Sequence, residues 1–215
     1  MGPATGKPGR DCPLCPRLVA FRQEWRAKEP EWFNAPVPSF GPIDARLLIV
    51  GLAPGLRGAN RTGRPFTGDY AGDLLYATLK EFGFASGQFE ARIDDSLTLV
   101  DCRITNAVRC VPPENRPTPA EIATCRDFLI PTLGEMTKLR AVVTLGRIAH
   151  ETFIAALKAK RSNYPFSHGG AHALGGITLF SSYHCSRYNT STGVLTPQMF
   201  RDVFARVRHC LDGAA

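Results

Sequence analysis

Two hydrophobic patterns alternate along the chain. Short unbroken apolar runs are followed by longer stretches in which large apolar residues recur every three or four positions, the signature of buried strands leading into amphipathic helices. Arg46 to Val50 carries four successive large apolar residues and reads as a first strand, ended by Gly51. Leu74, Leu75, Leu79 and Phe82 then mark a helix over roughly Ala71 to Phe82, stopped by Gly83. Ser96 to Asn106, rich in β-branched and aliphatic residues, reads as a second strand with Asn106 at its carboxyl end. Thr118, with Glu121 three residues on, gives a capping-box start, and Ile122, Phe128, Leu129, Leu133 and Met136 carry that helix to about Lys138. Ala141 to Leu145 is a third strand, Gly146 to about Lys158 a helix, Ile177 to Ser182 a fourth strand, and Pro197 to about Leu211 a last helix. Lys160 to Gly176 reads as a basic loop containing histidine and glycine. The recurrence of strand, polar loop and helix predicts a parallel sheet covered by helices on both faces, with right-handed crossovers.

Ahead of the first strand, Leu18, Phe21, Arg22 and Trp25 have the spacing of a short helix, and Pro30, Pro36, Pro38 and Pro42 force an extended crossing after it. Residues 1 to 11 are polar and read as a frayed end. No Pro/Gly/Ser linker divides the 215 residues, so one domain spanning 1–215 is expected. Basic side chains outnumber acidic ones by 26 to 19, a formal charge of +7, which favours a polyanionic partner. The N-terminus has no apolar signal region and no stretch approaches the ~20 apolar residues that span a bilayer. A soluble, unexported, cytoplasmic protein is therefore expected, nucleoid-associated in a prokaryote.

The candidate chemistry gathers in Leu47 to Asp69, where a strand breaks into a long loop of glycines, arginines and one carboxylate. Ligands of open parallel sheets bind outside the carboxyl ends of the strands, and the loop's exposed amides with Arg57, Arg61 and Arg64 suit an anion. Asp69 and Asp73 stand at the start of the following helix, where a carboxylate can cap the helix or act as a catalyst. Asn106 brings an amide to the same sheet edge. Seven cysteines include the pair Cys12 and Cys15, two residues apart, and the pair Cys110 and Cys125, separated by fourteen residues. Four thiolates can hold structural zinc or a 4Fe-4S cluster, and spacing does not choose between them. Cys102 and Cys210 read as small core residues.

The motifs GLAPG, NRTGRPFTGD, TNAVRCVPPENRPTPAEIATC and HCSRYNTSTGVLT, following the first cysteine pair, resemble in order those of the uracil-DNA glycosylase superfamily, specifically its family 5 (type B) iron-sulfur branch. The resemblance spans nearly the whole chain. It implies a single-domain α/β/α sandwich around a four-stranded parallel sheet and a structural 4Fe-4S cluster on Cys12, Cys15, Cys110 and Cys125. It implies an enzyme, monomeric by default, that flips uracil, and other deaminated bases such as hypoxanthine or xanthine, out of DNA and hydrolyses the N-glycosidic bond. Phe66 would stack on the base, Asn106 would bond its Watson-Crick edge, His184 would approach O2, and Gly51 would also belong to the substrate-binding set. Asp69 would serve the water and the charge on the sugar, because Leu52, Ala53 and Pro54 leave no polar side chain beside Gly51. Arg57, Asn60, Arg61, Ser186, Arg187 and Asn189 would lie against DNA. Three other readings compete: a non-catalytic damaged-DNA-binding protein with a structural metal cluster, a nucleotide-binding α/β enzyme and a thiol oxidoreductase. The second lacks both glycine-rich nucleotide fingerprints at this loop, and the wide separation of the second cysteine pair disfavours the third.

Overall fold

The computed structural model describes residues 7–213. In chain order its elements are α1 (Pro16–Lys28), β1 (Leu47–Gly51), α2 (Ala59–Thr62), α3 (Tyr70–Glu81), β2 (Ala85–Ser86), β3 (Thr98–Leu99), β4 (Cys102–Asn106), α4 (Pro119–Glu135), β5 (Ala141–Leu145), α5 (Arg147–Ala156), β6 (Ala171–Leu174), β7 (Ile177–Ser182), α6 (Arg187–Ser191) and α7 (Pro197–Asp212). The main sheet has the order β4-β1-β5-β7-β6. Its first four members are parallel and β6 pairs antiparallel with β7.

Every residue of β1, β4 and β5 is buried, which explains the unbroken apolar run of β1 and the nearly apolar β5, while β4 buries Arg103, Thr105 and Asn106 as well. Successive side chains in a strand point to opposite faces. Leu47 and Ile49 accordingly join Leu75 and Leu79 of α3 and Phe200 and Phe204 of α7 in one core. Leu48 and Val50 join Phe153 and Ile154 of α5 in the other. The capping box opens α4 as the sequence dictates: Thr118 Oγ1 accepts from the Glu121 amide at 3.2 Å, and Glu121 Oε2 from the Thr118 amide at 2.7 Å.

Two expectations need correction. The sheet has five strands, not four: β6 lies within the stretch read as a loop, joined to β7 through Gly175 and Gly176, both at positive φ (59° and 81°). The stretch Ser96 to Asn106 is not one strand, because Asp101 takes a φ of 51° and separates β3 from β4. Asp101 is held there by its carboxylate, which accepts from the Arg46 amide and Nε, each at 2.7 Å. Residues 1–6 of the expected frayed end lie outside the described residues. Over 7–11 the chain is tied to α1, with Arg26 donating to Asp11 Oδ1 at 2.6 Å and to the Arg10 carbonyl at 3.2 Å.

Candidate active site

Loops at the carboxyl ends of β1, β4 and β7 enclose a pocket of about 650 Å³. In the sheet register Gly51, the last residue of β1, stands beside Asn106, the last of β4. A Cβ on Gly51 would fall 2.4 Å from Asn106 Oδ1 and 2.7 Å from Phe66 Cζ. Glycine there is what lets the amide and the ring converge; Gly51 contributes space instead of a contact. Phe66 sits at a φ of 53°, unusual for a side-chain-bearing residue. The residues around it fix it: Tyr76 Oη donates to the Pro65 carbonyl at 2.6 Å, and Arg64 Nε donates to Thr67 Oγ1 at 2.8 Å. Gly72 in α3 lets the Phe66 carbonyl approach, since a Cβ there would lie 2.0 Å from that oxygen.

From the opposite side, the segment after β7 brings His184 to face Phe66, ring centroids 6.0 Å apart and planes inclined by 28°. This segment braces itself. Asn189 Nδ2 donates to the His184 carbonyl at 2.8 Å, the Asn189 amide donates to Ser186 Oγ at 3.4 Å, and buried Cys185 donates its thiol to the Ala71 carbonyl at 3.5 Å. Asp69 occupies the N-cap position of α3, and its Oδ2 rests against two loop glycines. A Cβ on Gly58 would stand 2.4 Å from that oxygen, and one on Gly55 3.0 Å.

Burial raises the Asp69 pKa, with the Gly72 and Ala71 amides pulling the other way and Asp73 adding to the rise. Burial alone pulls His184 down to about 4, so the imidazole is neutral at physiological pH and carries one N–H. Asn106 Oδ1 and Asp69 Oδ1 are buried acceptors with no hydrogen-bond partner among the described residues. Buried polar atoms are rarely left unpaired. One pocket therefore holds two orphan acceptors, a neutral imidazole and an aromatic ring.

Phe66, Asp69, Asn106, His184, Arg57, Ser186 and Arg187 all line the pocket, whereas Asp73 does not. Arg57, Arg61 and Arg187 are exposed, and Arg187 lies 5.3 Å over the Tyr70 ring at the mouth. Asn60 and Arg64 are elsewhere engaged. Asn60 is 1% exposed and donates to Asn34 Oδ1 at 2.8 Å, so it pins α2 to the N-terminal segment instead of facing a ligand. Arg64 is buried against Asp95, with two bonds of 2.7 Å. Ser186 and Asn189 spend hydrogen bonds within their own loop.

Sequence reasoning missed Tyr70 and Asn115, which also line the pocket. Asn115 comes from the stretch between Cys110 and Cys125, at a φ of 56°. Its signal was slight, an asparagine in a proline-flanked turn where left-handed backbone is tolerated.

On the far side of that stretch Cys12, Cys15, Cys110 and Cys125 come together with Leu18, Val108 and Phe128 around a small cavity. No disulfide joins them. Burial pushes the Cys110 and Cys125 thiols up to about 12 and about 11. Among the described residues no three His, Cys, Asp or Glu side chains converge as they would on one metal ion. Cys102, the first residue of β4, is fully buried, and Cys210 is packed against the same core.

Residues 38–208 match the family model described as the uracil DNA glycosylase superfamily. The type-5 uracil-DNA glycosylase of Thermus thermophilus is 47% identical over 204 residues, 92% of each chain. That of Pyrobaculum aerophilum is 37% identical over 200 residues, 91% of this chain and 87% of the relative. The type-4 uracil-DNA glycosylase of Archaeoglobus fulgidus is 39% identical over 114 residues, 53% of this chain and 49% of its own. No helix among the described residues is long and apolar enough to cross a membrane.

Proposed function

Because the chain belongs to the uracil DNA glycosylase superfamily, we propose that it excises uracil from DNA with Phe66, Asn106, His184 and Asp69 as the working groups. The observation that carries this assignment of roles is the pair of orphan acceptors lining the same pocket as two facing rings. A uracil extruded from the stack would lie on Phe66 and satisfy Asn106 Oδ1 with its N3–H. The remaining acceptor, Asp69 Oδ1, suits a water at the sugar.

In hydrolysis the bond between the base and C1′ breaks, its electron pair leaves on the base, and a water oxygen bonds to C1′. The water's proton passes to Asp69, whose raised pKa makes it a better base than a surface carboxylate. The negative charge spreads to O2 of the base, where the N–H of neutral His184 donates to it, and Asp69 also opposes the positive charge on the sugar. A site that reads by stacking plus few polar contacts, in a pocket this large, also admits two-ring deaminated bases such as hypoxanthine or xanthine.

Single-turnover cleavage of oligonucleotides carrying one uracil, hypoxanthine or xanthine, scored as alkali-labile sites, tests the reading. Asp69→Asn is expected to lose on the order of a hundredfold or more in rate on uracil while keeping DNA affinity. Near wild-type cleavage by Asp69→Asn would remove Asp69 from the mechanism. Cleavage of uracil alone would remove the broader specificity.

We also propose a 4Fe-4S cluster on Cys12, Cys15, Cys110 and Cys125, with a structural role. Four thiols around an apolar-walled cavity, with N–H donors aimed at two of the sulfurs, suit a thiolate-held centre, and the resemblance to the iron-sulfur branch favours the cluster over zinc. Such a centre would fasten the N-terminal segment to the stretch that carries Asn115. Iron and labile sulfide in the purified protein, in excess of zinc, would support this; zinc alone would overturn it.

A further inference from the structure

Two buried arginines border the cavity between the four cysteines, and neither meets a carboxylate. Arg22 on α1 is 3% exposed, and Arg109, next to Cys110, is 2% exposed. Arg22 donates Nη1 to Cys110 Sγ at 3.6 Å and Nη2 to the Cys12 carbonyl at 3.0 Å, leaving Nε without a partner. Arg109 donates Nη1 to the Val37 carbonyl at 3.4 Å and its amide to Cys125 Sγ at 3.2 Å, leaving Nη2 without one. Neither enters an ion pair among the described residues.

Of the two other buried arginines, Arg64 has Asp95, whereas Arg103, 7% exposed and away from the cysteines' cavity, enters no ion pair among the described residues. Acid is not lacking by the cysteines: Glu121 stands close to Cys15, yet its carboxylate is taken by Arg17 at 2.8 Å. A buried guanidinium stays charged and is tolerated where a counter-charge meets it. Neutral thiols supply none; metal-bound thiolates do.

We infer that Arg22 and Arg109 are the counter-charges of a four-thiolate metal centre, balancing its net negative charge and donating to its sulfurs. The inference rests on the cofactor reading above. Four thiolates around a core of charge about +2 carry about −2 in total, and two buried guanidiniums cancel it. The balance is the same for zinc and for an oxidised iron-sulfur core, so the arginines report the thiolate state of the cysteines independently of which metal is held. Hydrogen bonds to ligating sulfur and nearby charge also set the reduction potential of an iron-sulfur centre.

The test compares the full-length protein with Arg22→Gln, Arg22→Lys and Arg109→Gln, all purified without oxygen. Glutamine keeps a donor and removes the charge; lysine keeps the charge. Both glutamine variants are expected to show a midpoint potential more negative than wild type and to release iron to a chelator about 10–100-fold faster, the scale of outer-shell losses at metal sites. Arg22→Lys should stay near wild type in both. If Arg22→Gln keeps the wild-type potential and retention, or if Arg22→Lys fails as badly as Arg22→Gln, the charge role is wrong. Should Arg109→Gln not fold, the two Arg22 variants still decide. Wild-type protein with zinc in place of iron and sulfide would sink the iron-sulfur reading but leave chelator release to judge the arginines. Protein with no metal would overturn both.

Discussion

Asp69 stands where a carboxylate costs stability, with one oxygen unpaired and the other pressed on Gly58. Its folded pKa is raised above the ordinary value of 3.8 by burial. For an acid shifted upward, the stabilising contribution is complete below the unfolded pKa and is lost as pH rises through the folded one. Asp69→Asn is therefore expected to melt higher than wild type at pH 7, with the gap narrowing as pH falls toward 4. Thermal melts across that range check it, and a variant that melts lower throughout would mean the Ala71 and Gly72 amides outweigh the burial. At this scale Asp69 and Asn106 were legible as candidates in the sequence, one at the opening of a helix and the other at the end of a strand, whereas Phe66 and His184 were named only through the family resemblance. Asn60 and Arg64 were misjudged from the same loop. Composition gives charge and polarity but not direction, and only the fold reveals that Asn34 and Asp95 wait for them.

The loop after β1 works as an element because its middle is clamped. Arg64 and Asp95 are 3% and 0% exposed at their side chains, and the guanidinium lies within 5.8 Å of the Phe40, Tyr76 and Phe89 rings. Holding Phe66 in left-handed backbone costs about 1–3 kcal/mol, which this surround must offset. Asp95→Asn strands a buried guanidinium and is expected to cost about 3–5 kcal/mol in stability. Because the clamp sits next to Phe66, the surviving folded fraction should also show a raised KM. Chemical denaturation with steady-state kinetics at low temperature separates the two effects, and an unchanged KM would mean that Phe66 is held without the ion pair. Elements with strong periodicity were readable, α3 and α7 among them, and α4 through its capping box. β6 was not: its four residues, Ala171–Leu174, are too short and mixed to show a period, and the usable signal was the Gly175-Gly176 pair, a two-residue hairpin turn. The division of β3 from β4 depends on the bond between Asp101 and Arg46, 55 residues away, which no local window contains.

Across the whole molecule, charge is unevenly spent. Of the excess that gives +7, Arg22 and Arg109 are buried by the cysteines, while Arg57, Arg61 in α2 and Arg187 at the start of α6 stand exposed, Arg57 and Arg187 lining the pocket. None of these three enters an ion pair among the described residues. A duplex delivering a nucleotide to the pocket must pass its phosphates over that rim. Each phosphate neutralised releases condensed counterions, which steepens the salt dependence of binding by about 0.9 in log K against log salt on duplex DNA. Arg57→Gln, Arg61→Gln and Arg187→Gln are each expected to weaken binding to uracil-containing and undamaged duplexes alike, and to flatten that slope by up to about 0.9. Arg187→Gln should differ from the other two, because its guanidinium also lies on Tyr70 and its loss frees that ring at the pocket mouth. It should therefore lower cleavage rate as well as affinity, whereas Arg57→Gln and Arg61→Gln should leave the saturated rate unchanged. Fluorescence anisotropy over a salt series, paired with single-turnover cleavage at saturating enzyme, reads both quantities. Slopes equal to wild type in all three variants would place the DNA on another face of the molecule.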